Sequence, residues 1–95
     1  MYLRWTSFPL HGGHRADVEA ILVSFEWLLA SQPGFRSALL AFDAAATRAI
    51  SITTWDSHAD AEAITHTVRD AVQRELGALL CGAPLTELFE VYAPD

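Results

Sequence analysis

The stretch from Phe35 to Trp55 constrains this chain most: two strand-like runs, Phe35 to Asp43 and Thr47 to Trp55, are joined only by the short turn around Ala45. So tight a connection permits only an antiparallel hairpin, because parallel strands need a long crossover. A helical pattern precedes the hairpin. From Ala16 to Gln32, Val18, Ile21, Leu22, Phe25, Leu28 and Leu29 recur at helical spacing, and Asp17 and Glu19 suit the positive end of the helix dipole. Pro33-Gly34 stops that helix. After the hairpin, Ser57 with Asp60 three residues on reads as a capping box. It opens a second helix with the stripe Ile64, Val68, Ala71, Val72, Leu76 and Leu79, ended by Gly82 and Pro84. Tyr2 to Phe8 and Thr86 to Tyr92 complete the set as strands. The order β-α-β-β-α-β is the split βαβ pattern. It predicts an α+β, ferredoxin-like domain: a four-stranded antiparallel sheet with both helices on one face, as right-handed crossovers require.

That arrangement leaves the other face uncovered. The third strand carries Ala49, Ser51, Thr53 and Trp55 on one side and Arg48, Ile50, Ile52 and Thr54 on the other, so both sides are partly apolar. The chain has 95 residues, 52% of them hydrophobic, and reads as a single domain over 1–95. A domain this small buries only about two-thirds of its unfolded surface. A second copy is the simplest cover, so the expectation is a homodimer, a dimeric α+β barrel. Its interface is placed on Arg48, Ile50 and Ile52, with Leu40 and Phe42 of the second strand.

Composition excludes several functions. The net charge is -6, with six Arg and no Lys, which does not suit a phosphate-binding surface, and no nucleic-acid partner is expected. No apolar run approaches membrane-spanning length and no charged-then-apolar leader is readable, so the expectation is a cytoplasmic protein without a membrane partner. The single cysteine, Cys81, follows Leu79 and Leu80 and reads as a buried structural thiol. His11 and His14 bracket Gly12-Gly13 without a carboxylate ligand set, which reads as a loop at a pocket edge rather than a metal site. Trp27 lies off the main stripe of the first helix, where it could meet a partner.

Two local features carry a family resemblance: Gln32-Pro33-Gly34-Phe35 ahead of the hairpin, and Ser51-Ile52-Thr53-Thr54-Trp55-Asp56-Ser57 leading into an Ala-rich helix. With the element order, they resemble the antibiotic biosynthesis monooxygenase family of dimeric α+β barrels. The resemblance implies cofactor-independent oxidation of aromatic, polyketide-type molecules by dioxygen, with no metal, haem or flavin. Trp55 matches the family's pocket Trp. The family's pocket Asn, Tyr and Arg fall here at Ser51, Ala61 and Glu75, with Arg74 beside the last. The family's haem-degrading branch places its Asn near Ser7 and its axial His near Arg74, so no haem is expected.

Ser51, Thr53 and Trp55 should face the helices. In the family's register Leu3, Trp5 and Ser7 join them, giving a pocket for a flat aromatic ligand. The alternative is that Trp5 and Trp55 are core residues. On the second helix, His66, Arg69 and Gln73 share a face one turn beyond Glu62. There His66 and Arg69 could hold a phenolate or move a proton, or the face is solvated, with Glu62–His66 and Asp70–Arg74 pairs. His58, one turn after Trp55, could flank the pocket mouth. Trp55, His66 and Arg69 are the expected catalytic set; Trp5, Ser7, Ser51, Thr53 and His58 are the expected binding set. A non-catalytic ligand-binding or accessory barrel fits the same sequence, as does a purely structural dimer.

Overall fold

The computed structural model describes residues 1–92. The elements are β1 (Tyr2–Pro9), α1 (Arg15–Ala30), β2 (Phe35–Phe42), β3 (Arg48–Trp55), α2 (His58–Leu76) and β4 (Leu85–Glu90), with one 3-10 turn at Gly77–Leu79. The sheet runs β2-β3-β1-β4, every neighbouring pair antiparallel. This is the expected split βαβ domain, with both helices against one face.

The local signals act as read. Ser57 caps α2, its Oγ accepting from the Asp60 amide at 3.1 Å. Gly34 turns the chain with φ +78, and a side chain there would collide with the Asp60 carboxylate. The β2–β3 turn is held by Asp43, whose carboxylate accepts from the Thr47 and Arg48 amides and from the Thr47 hydroxyl. The Thr47 hydroxyl bond is the main reason the Asp43 carboxyl sits below its ordinary pKa.

Three expectations are corrected. First, α2 ends at Leu76 rather than near Gly82. The chain needs the released residues to return to the sheet end, where Leu80 bridges Leu10 and the Cys81 amide donates to the Pro9 carbonyl. That extended path leaves Cys81 exposed, not buried.

Second, β1 presents the opposite side from that expected. Tyr2, Arg4, Thr6 and Phe8 stand opposite Trp55, Thr53, Ser51 and Ala49, and residues directly opposite share a face. Trp5 and Ser7 therefore lie on the open face with Ile52 and Ile50. There the Arg48 guanidinium stacks over the Trp5 ring at 5.7 Å and donates to Ser7 Oγ at 2.7 Å.

Third, Leu39 and Ala41 of β2 are opposite Ile52 and Ile50 and belong to the open face, whereas Leu40 and Phe42 turn inward against the core. A register shift between Phe35 and Ser37 reverses the parity of this strand after Phe35, which itself packs edge-on against Trp55.

The covered face holds two apolar clusters. One gathers Phe8, Leu10, Val18, Leu22, Phe25, Ala49 and Leu76. The other gathers Leu29, Trp55, Ala61, Ile64 and Val68.

Candidate active site

Between those clusters the space under α2 is not filled by side chains. From β1 come Arg4, Thr6 and Phe8; from β4 comes Thr86, whose Oγ1 is 3.1 Å from that of Thr6. Thr65, Val68, Arg69, Val72 and Gln73 descend from α2 at three- and four-residue spacing, and Ala83 and Pro84 close the end. Together they line a cavity of about 400 Å³, within the range of small-molecule sites. A smaller space of about 30 Å³ continues toward α1, sharing Arg4, Phe8, Val68 and Val72 and bounded by Glu26 and Ser51.

Arg4 lies where the two spaces meet. It is 8% exposed. Its Nη1 donates to Thr6 Oγ1 at 3.2 Å and its Nη2 to Thr65 Oγ1 at 3.4 Å, while its buried Nε–H has no partner. Burial lowers the pKa of the guanidinium, but from a value so high that it stays charged. Among the described residues no carboxylate comes within ion-pair distance of it. Among the described residues the larger cavity has no His, Asp, Glu, Cys or Tyr in its lining. Its chemistry is therefore cationic and hydroxylic: it can hold and stabilise an anion, and it supplies no side-chain base.

The expected site residues are divided by the fold. Arg69 and Gln73 line the larger cavity, and Ser51 lines the smaller one. Trp55 and Thr53 line neither. Trp55 is 0% exposed, locked against Phe35 at 5.5 Å, with its Nε1 donating to Thr53 Oγ1 at 2.8 Å. Ala61, at the family's Tyr position, is buried against it. His66 is exposed and outside both spaces. Glu62 meets His58 at 3.4 Å rather than His66, and Arg74 meets Glu75 at 3.7 Å rather than Asp70, because these long side chains take the nearest solvated partner. His58 packs its ring on Tyr2, away from the cavity. Arg4, Thr6, Thr65 and Thr86 were missed. An Arg in a strand normally reads as an exposed position, and only the β1 register turns it inward.

No protein-family model matches the sequence, nor does any curated protein. Solved structures do match. A candidate antibiotic biosynthesis monooxygenase from Nitrosomonas europaea is similar with TM-score 0.84 and 12% identity, covering 98% of this chain and 91% of that one. SnoaB, a cofactor-independent oxygenase from Streptomyces nogalater, is similar with TM-score 0.75 and 23% identity over 98% and 94% of the two chains. The fold is that of the antibiotic biosynthesis monooxygenases. A further structure of this monooxygenase fold, ActVA-Orf6 of Streptomyces coelicolor, was solved with the ligand nanaomycin D; it is similar with TM-score 0.72 and 19% identity over 99% and 89%. The resemblance read from the Pro33-Gly34-Phe35 turn and the Trp55-Asp56-Ser57 junction is thus borne out in the fold. Among the described residues no helix is long and apolar enough to cross a membrane, and no three His, Cys, Asp or Glu side chains gather as a metal site would need.

Proposed function

We propose that this chain is a cytoplasmic, homodimeric monooxygenase of the antibiotic biosynthesis type, oxidising an aromatic small molecule without a bound cofactor. The observation that carries the reading is the cavity between sheet and α2, open in a fold shared with a cofactor-independent oxygenase. In such a reaction an electron-rich phenolate reacts with dioxygen. A ring CH₂ becomes a carbonyl and the second oxygen atom leaves as water. The cationic lining favours the phenolate over the phenol, which lowers the need for a side-chain base. Of the expected catalytic residues, Arg69 is the one positioned to touch a ligand here.

The dimer is proposed through the open face. Leu39 is 61% exposed and Phe89 48%, on the same face as Leu3, Trp5, Ile50 and Ile52, apolar surface that a second copy would cover. The exposed, free Cys81 fits a reducing compartment.

A non-catalytic binding domain is the second reading, favoured by a lining in which, among the described residues, no His, Asp, Glu, Cys or Tyr offers a base. An oxygen electrode separates the two. With a phenolic tricycle as substrate, the protein should accelerate stoichiometric oxygen uptake and carbonyl formation. Saturable binding without uptake would establish the binding domain instead.

A further inference from the structure

Neither the fold nor the packing accounts for Arg4. It sits in the interior strand β1, opposite Thr53 on one side and Leu88 on the other. A guanidinium presents a planar fork suited to a pair of anionic oxygens, and sequestering it without an anion is unfavourable. Here it is more than nine-tenths buried and its hydrogen bonds go only to the neutral hydroxyls of Thr6 and Thr65. Those two hydroxyls, one from the sheet and one from α2, fix the fork beside the cavity that Arg4 lines. Arg69 adds a second positive charge, and among the described residues no acidic side chain lines that space, in a protein whose net charge is -6; Glu26 bounds only the smaller space, beyond ion-pair distance of Arg4.

We infer that the cavity's ligand is an aromatic anion, a carboxylate or ionised phenol, with Arg4 as its buried counter-ion and Arg69 as a second cation at the mouth. This rests on the cavity being the ligand site, as proposed above. Val68 and Val72 supply apolar walls for the rings, and of the hydrogen-bonded pair Thr6 and Thr86 one hydroxyl proton is left to donate to a second oxygen. Selectivity for the anion over its neutral isostere then belongs to Arg4, a residue that binds ligand rather than one that moves protons.

Calorimetric titration with 2-naphthoate and 2-naphthamide, matched in shape and differing in charge, tests this. The wild-type protein should bind naphthoate at least about tenfold more tightly, the scale of a charged hydrogen bond. Arg4→Met should erase the preference by weakening naphthoate far more than naphthamide, and Arg69→Gln should reduce it less. Equal wild-type affinity for the two probes would overturn the anion inference and leave the cavity reading intact. Binding of neither would overturn both. A preference that survives Arg4→Met would also overturn the assignment. The wild-type comparison stands alone if that variant does not fold.

Discussion

The two halves of the space beneath α2 are built on opposite plans. At the Trp55 end, Trp55, Leu29, Ala61 and Ile64 fill the gap between helix and sheet, and the indole N–H is satisfied internally by Thr53. A few residues along the same helix, Arg4, Thr6, Thr65 and Thr86 leave about 400 Å³ unfilled. Both halves lie beneath α2, the first packed on Trp55 of β3 and Leu29 of α1, the second facing Arg4 and Thr6 of β1 and Thr86 of β4. A large rigid indole closes the one, while in the other a charged fork is tied to two threonines. A domain this small has little stability to spare, and a cavity beside a buried charge is a cost that the proposed ligand would offset.

The sharpest way to break this contrast is to hollow out the packed half. Trp55→Ala should lose about 3–5 kcal/mol of stability, as large core truncations do. Urea denaturation would measure it, and a loss below about 1 kcal/mol would mean Trp55 is not the packing residue described. Next in size, Ile52→Asp would place an uncompensated charge in the proposed dimer face at a cost of several kcal/mol of association. Light scattering coupled to size exclusion should show a dimer for the parent and a monomer or aggregate for the variant. A stable, monodisperse parent monomer would end the dimer proposal.

In the open half the direction reverses. Arg4→Met replaces a buried, unpaired cation by an apolar side chain and should leave the unliganded protein unchanged or more stable by roughly 1–2 kcal/mol. Thermal unfolding reads this directly, and a large destabilisation would show that Arg4 is structural.

The smallest effect lies outside both halves, at Asp43. Its hydrogen bonds depress its folded pKa, so its stabilisation is complete above the ordinary carboxylate value, near about 4. That stabilisation is lost as the pH falls through the folded value. Asp43→Asn should be mildly destabilising at neutral pH, with the difference from the parent shrinking in acid. A difference that grows in acid would contradict the assignment.

The sequence showed the fold because its punctuation is local. Ser57 with Asp60, Pro33-Gly34, and the short turn at Asp43 each act through neighbours a few residues away. The site was less legible because it depends on strand parity. β1 has apolar residues on both faces, Leu3 and Trp5 against Tyr2 and Phe8, so alternation alone leaves its orientation open. A one-residue error sends Trp5 and Ser7 inward and hides Arg4. The register shift after Phe35 does the same to Leu40 and Phe42, and nothing in the sequence marks it. On α2, the helical period correctly joined Arg69 and Gln73, but whether His66 met the cavity or the solvent depended on where α2 crosses β1 and β4.

Amide and side-chain NMR during titration with 2-naphthoate tests most directly whether the unfilled half is the ligand site. The shifts should concentrate on Thr6, Thr65, Arg69 and Thr86 and on the Arg4 guanidinium, with the Trp55 indole and His58 nearly unmoved. Shifts centred on the Trp55 indole, or on Trp5 across the open face, would contradict it.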